Sequence, residues 1–140
     1  MRERVGWGAW RLGAVGLLAA GYWVAQAGAP ARAYTPDQVT AGGQVYAASC
    51  ASCHGTRGEG AGRNAPDAPL VVGPRALTGF RHAQELYEYL VDSMPQDDPG
   101  SLSADDYWNA EAWLLAQNSI SEPGAPLGPD TARAITLGRR

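Results

Sequence analysis

An all-α domain of three to four short helices joined by long loops, wrapped around one covalently bound cofactor, is the fold class this sequence predicts. Three observations carry it. Apolar residues recur at helical spacing in three separate stretches, and no stretch alternates as a half-buried strand does. The third is a single C-x-x-C-H run, Cys50-Ala51-Ser52-Cys53-His54, which supplies the means of attachment.

That run is the pattern of c-type haem attachment. Each cysteine sulfur bonds one vinyl group of the porphyrin, and the histidine that follows reaches the iron. Cys50 and Cys53 are the only cysteines in the chain, so no other thiol competes for them. A thioredoxin-like reading of C-x-x-C needs alternating strands and helices around it, and these are missing. A structural zinc site needs four ligands, and outside the motif only His82 remains. The cofactor expected is therefore one haem c, with Cys50 and Cys53 binding the ring and His54 the metal.

The chain has 140 residues, enough for one domain. Arg2 and Arg4 precede an apolar run from Leu12 through Ala27, and Ala31-Arg32-Ala33 offers an A-x-A cleavage site before Tyr34. Residues 1–33 thus have the layout of a secretory signal peptide, with Ala25-Gln26-Ala27 as a second site for cleavage. Leu12 to Ala31 is free of charge, long enough to span a bilayer, so an uncleaved membrane tether within residues 5–31 is the alternative. The run is rich in Ala and Gly, which favours cleavage. Either way, the domain at 34–122 and the extension at 123–140 are expected in the periplasm or another extracytoplasmic space. From Tyr34 onward seven arginines face thirteen Asp and Glu, a formal −6, and the chain has no lysine. A general nucleic-acid binder, which needs a basic surface, is excluded.

The first helix starts at a capping box, Thr35-Pro36-Asp37-Gln38, with Thr35 at the N-cap and Pro36 at the first helical position. Val39, Gly42 or Gly43, and Tyr46 continue it toward Cys50. Each mid-helix glycine costs about 1 kcal/mol relative to alanine, which points to close approach by another element. From Gly55 to Gly79 periodicity vanishes among glycines and prolines. A loop this long in a compact domain usually has a task, and wrapping a planar cofactor is one. A second helix spans roughly His82 to Asp92, with Ala83, Leu86 and Leu90 on one face, and stops before Met94-Pro95. Ser103 caps the last helix, with Asp105 and Asp106 in its first turn. Tyr107, Ala110 and Leu114 recur along it, as do Trp108, Ala112 and Leu115. Glu111 falls inside this apolar sector with nothing in the sequence to account for it.

Iron bound through His54 has an opposite axial position, and Met94 is the only methionine after Met1. It follows a helix, in a turn stiffened by Pro95. The competitor is His82. A thioether stabilises ferrous iron more than a second imidazole does and so raises the potential. With both positions filled by protein, such a site passes electrons and leaves no place for oxygen or peroxide.

The residues from Thr35 to Asn118 resemble the small monohaem class I c-type cytochromes of bacteria. The resemblance rests on Gly42-x-x-x-Tyr46-x-x-x-Cys50-Ala51-Ser52-Cys53-His54-Gly55, on Gly73-Pro74, on Leu86-Tyr87-Glu88-Tyr89-Leu90, on Met94-Pro95, and on Tyr107-x-x-x-x-Ala112-Trp113-Leu114-Leu115. It implies the cytochrome c fold, with first and last helices crossing where Gly42 and Tyr46 meet Trp113. It implies that Pro74 lies beside the cofactor, its neighbourhood accepting the Nδ1 proton of His54. It also implies electron transfer rather than enzymatic turnover, either as a carrier or as the electron-accepting subunit of a dehydrogenase or respiratory complex. Redox proteins would be the partners. The alternative from a different class is a haem enzyme or gas sensor with an open sixth position, for which Arg57 and Arg81 are the unplaced polar candidates.

Overall fold

The computed structural model describes residues 32–120 and 122–137. The tether or signal segment through residue 31 lies outside them. Among the described residues four helices form the frame: α1 Pro36–Ser49, α2 Ala51–His54, α3 Ala83–Ser93 and α4 Ala104–Gln117. The one addition to the all-α expectation is a short parallel pair, β1 Arg32–Tyr34 beside β2 Glu122–Pro123. Two and three residues are too few for an alternating pattern to register in sequence. The junction expected between Ala33 and Tyr34 falls inside β1, where both residues are buried, so the folded unit takes in Ala33.

The capping box forms as read. The Thr35 hydroxyl accepts from the Gln38 amide at 3.2 Å, and the Gln38 side-chain oxygen accepts from the Thr35 amide at 3.2 Å. Pro36, lacking an N–H, sits where the first turn needs none. Gln38 does a second job that capping alone does not predict. Its side chain accepts from the Leu127 amide at 2.8 Å and donates to the Leu127 carbonyl at 2.9 Å.

Leu127 thus ties the C-terminal stretch to the start of α1, and that stretch is no appendage. Leu127, Ala132, Ile135 and Leu137 are buried in the same core as Tyr46, Leu86 and Leu115. The Ala83 amide donates to the Ile135 carbonyl at 3.0 Å, and the Leu137 amide to Arg81 at 2.9 Å, so the chain end also closes the start of α3. The boundary expected at residue 122 therefore corrects to a single folded unit. Its four apolar anchors lie five, three and two residues apart, a spacing with no helical or strand period.

The glycine in α1 is explained by α4. A Cβ at Gly42 would overlap the Asn109 carbonyl and press on the Trp113 Cβ. One turn on, Tyr46 stacks on Trp113 with centroids 4.0 Å apart. Packing between α3 and α4 rests on a second stack, Tyr87 on Trp108, at 3.6 Å and 10°. Each such pair adds about 0.5–1.5 kcal/mol beyond the area it buries.

Glu111 is the anomaly the sequence flagged. It is fully buried on α4, and neither carboxyl oxygen has a hydrogen-bond partner among the described residues. Burial holds its carboxyl well above the ordinary value of 4.5. In the unfolded chain the group ionises near that ordinary value, whereas in the fold it keeps its proton to higher pH. The folded state then binds the extra proton in between, so stability falls as pH rises through that window.

Two expected outcomes follow from this packing. Gly42→Ala should lower the unfolding free energy of the haem-loaded protein by about 3 kcal/mol, since the obstacle is backbone that cannot rotate away; denaturant titration measures it, and a loss under about 1 kcal/mol would mean the helices part easily. Glu111→Leu should raise stability at pH 7 by about 1–3 kcal/mol by removing an unpartnered polar group. It should also flatten the decline in stability as pH rises above the carboxyl's ordinary value of 4.5. Melting curves recorded across a series of pH values decide this, and an unchanged slope would show that another group titrates.

Candidate functional site: the cofactor cavity

α1 leads directly into the attachment motif. The Cys50 amide donates to the Tyr46 carbonyl at 2.9 Å, and α2 continues with Cys53 and His54. The Tyr46 hydroxyl donates to the Gly55 carbonyl at 2.7 Å, so the ring that packs on Trp113 also fastens the residue after His54. Burial, then the neighbouring Cys50 and Glu59 charges, pushes this phenol up to about 12. Burial, with Cys53 beside it, raises the Cys50 thiol to about 11. Both cysteines are free thiols, so neither is spent on a disulfide.

Cys50, Cys53, His54 and Met94 line one cavity of about 900 Å³. That is the upper end of the roughly 300–1,000 Å³ typical of small-molecule sites. Leu70, Val71, Leu86, Leu90 and Leu114 supply much of its apolar wall. The cavity thus fits a large, flat, mainly apolar group anchored through two thiols. A metal held by protein alone is a poor fit, because no group of three His, Cys, Asp or Glu gathers among the described residues.

The loop between α2 and α3 holds the histidine. Its Nδ1 lies 2.9 Å from the Pro69 carbonyl. A carbonyl oxygen only accepts, so Nδ1 carries the proton and Nε2 is left as the ring's free donor atom. Here the structure corrects the expectation for Pro74, which is exposed and does not line the cavity. The acceptor comes five residues earlier because the loop's own turns, at Gly58 and Gly60, bring Pro69 to the ring. Gly60 donates to the His54 carbonyl and Gly62 to the Cys53 carbonyl, both at 2.7 Å.

Asn118, which sequence reasoning passed over, clamps that loop. Its Oδ1 accepts from the Gly73 amide at 3.0 Å, and its Nδ2 donates to the Val71 carbonyl at 2.9 Å and the Leu114 carbonyl at 2.8 Å. All its polar capacity toward the loop is spent two to four residues from Pro69. A polar residue just past a helix end carries no signal that would single it out.

Met94 is the C-cap of α3, and its carbonyl accepts the Tyr107 hydroxyl at 2.7 Å. His82 is the N-cap of the same helix, about 18 Å away along its axis, and it does not line the cavity. Arg57 and Arg81 also lie outside the cavity wall; the Arg57 amide donates to Glu59, and the Arg81 guanidinium pairs with Glu85 at 2.9 Å.

Comparison with known proteins places this arrangement. A search of curated proteins finds no match. The solved structure of the sulfane dehydrogenase SoxCD from Paracoccus pantotrophus matches with a TM-score of 0.60 and 26% identity, over 75% of this chain and 60% of that one. The thiosulfate dehydrogenase TsdBA from Marichromatium purpuratum matches with a TM-score of 0.48 and 27% identity, over 60% of this chain and 18% of that one. The chain spans less than two thirds of the length of either. The family model described as cytochrome c oxidase, cbb3-type, subunit III matches residues 37–114. With more than half its length in that match and two thiols, a histidine and a methionine on one apolar cavity, the chain belongs to this family of c-type cytochrome domains, which carry covalently bound haem c.

Proposed function

We propose that this protein passes single electrons through a haem c attached at Cys50 and Cys53, with His54 and Met94 as its two axial ligands. The observation that carries the reading is that the imidazole and the chain's one thioether outside Met1 line the same cavity, each held from behind. When bound, haem c supplies a one-electron ferric/ferrous couple.

What the chain contributes is a rigid setting. Pro69 fixes the tautomer and orientation of His54, and the hydrogen bond donated by Nδ1 makes Nε2 a stronger electron donor toward a metal. The Tyr107 hydroxyl fixes the Met94 backbone. A neutral, soft thioether favours the ferrous state. The apolar wall excludes water, so little has to reorganise when charge changes by one. Neither arginine that would serve an open-site enzyme lines the cavity.

The 26% identity with the sulfane dehydrogenase structure supports a place as the electron-accepting part of a dehydrogenase, or as a carrier serving one. The Arg-flanked apolar N-terminus supports export to the periplasm, with the haem domain outside the cytoplasm. No helix among the described residues is long and apolar enough to cross a membrane.

Met94→Ala should abolish the weak sulfur-to-iron charge-transfer band of the oxidised protein. It should also lower the midpoint potential by on the order of 0.1 V, a fraction of the ~0.8 V that axial ligands command. Persistence of the band, or rapid carbon monoxide binding by the unaltered ferrous protein, would sink the ligand assignment. Asn118→Ala should free the loop that presents Pro69, weaken the hydrogen bond from His54 Nδ1, and raise the potential by a few tens of millivolts; a tenfold shift in relative stability would be about 59 mV for one electron. Redox titration beside a melting curve tests it. A fall in melting temperature with an unmoved potential would make Asn118 a structural residue only.

A further inference from the structure

We propose that the mouth of the cofactor cavity is a docking face for a basic redox protein, one that presents arginine and lysine side chains around an apolar centre. This rests on the electron-transfer reading above and adds the chemistry of the partner.

The exposed charged side chains that line the cavity are Asp67, Asp97 and Asp98 against Arg75, leaving a net −2 at the opening. No ion pair among the described residues engages these carboxylates. Glu59 and Glu85, by contrast, are turned onto local donors, the Arg57 amide and the Arg81 side chain. Asp97 and Asp98 are carried on a defined turn, in which the Asp98 amide donates to the Pro95 carbonyl at 3.0 Å, directly after Met94. Their charge therefore stands at a set place beside the opening rather than on a free tail.

The apolar centre is at the same mouth. Tyr89 also lines the cavity and is the large apolar side chain left exposed among the described residues, at 43%. Phe80, from the loop, backs it with ring centroids 5.3 Å apart. An aromatic centre with a polar rim is the usual anatomy of a transient interface. Electron transfer needs close approach to the cofactor, and the opening is where a partner gains it. Free carboxylates there speed encounter with a basic surface and repel an acidic one, which sets on-rate and selectivity more than affinity. A chain without lysine cannot offer the reverse polarity there except through Arg75.

Two measurements on the haem-loaded protein test this. The first is stopped-flow reduction of the ferric protein by the cation hexaammineruthenium(II), which gives up one electron and becomes ruthenium(III). The rate should fall as ionic strength rises from about 10 to about 200 mM, as the Debye length shrinks from about 30 Å to under 10 Å. The double variant Asp97→Asn with Asp98→Asn should lose at least about threefold at low salt. Asp37→Asn with Asp130→Asn removes the same charge from exposed sites that do not line the cavity, and should change the rate by clearly less. An equal loss in both double variants would show net charge at work and overturn the docking face. The second is a titration with octalysine, followed by amide chemical shifts. Shifts centred on residues 66–69, 78–80 and 89–98 support the proposal, and shifts centred elsewhere overturn it. Octalysine binding does not depend on the axial ligands, so this inference and the Met94 assignment stand or fall separately.

Discussion

The missing side chain at Gly42 is the constraint on which the other placements depend. With hydrogen in place of a methyl, the backbone of α1 rests on the Asn109 carbonyl of α4. That contact sets how close the two helices come and where along each they cross. Each helix then reaches the cavity from a determined position: α1 delivers Cys50 and runs into α2, and α4 turns Ala110 and Leu114 to the opposite wall. Tyr46 converts the crossing into a hold on the site, since its ring meets Trp113 while its hydroxyl takes the Gly55 carbonyl.

The second dependence runs through backbone rather than side chains. α2 is a single turn and cannot satisfy its own carbonyls, and the loop that follows does so with the Gly60 and Gly62 amides. Gly60 has φ of +81°, and a Cβ at Gly62 would run into the Cys53 carbonyl, so glycine is required at both places. Once the loop is folded back in this way, Pro69 meets His54 and Asn118 locks the return stroke. The long aperiodic segment is thus ordered by hydrogen bonds to the element it follows, with the last helix as its far anchor.

How much of this was legible follows from the kind of signal each part leaves. The capping box is a side-chain pattern at fixed spacing and forms as read, and the residues of the C-x-x-C-H motif line one cavity with the lone Met94. Gly42 was legible as a cost without a visible benefit, and the benefit proved to be the approach of α4. Pro69 was not legible, because a carbonyl acceptor is common to every residue. Only the path of the loop decides which one reaches the ring, and Pro74, chosen from a family pattern, lies beyond it. The C-terminal anchors were missed for a related reason. Leu127, Ala132, Ile135 and Leu137 bury themselves from an irregular stretch, where spacing along the chain carries no facing information.

Glu111 brings the electrostatics of the molecule to one point. A carboxylate fully buried without a partner would oppose the fold strongly, and desolvation eases the conflict by favouring the protonated form. Burial therefore disfavours a fixed charge inside α4 next to Ala110 and Leu114, although the chain from Tyr34 onward is acidic. Free negative charge is left to the surface, where water screens it and where it acts on approaching partners. Leu70, Val71, Leu86, Leu90 and Leu114 keep the inner wall of the cavity apolar, while the exposed carboxylates of Asp67, Asp97 and Asp98 stand at its mouth. Among the described residues Glu111 is the one acid that breaks the surface rule, and burial favours its neutral form, so the separation between an apolar interior and a charged exterior survives it.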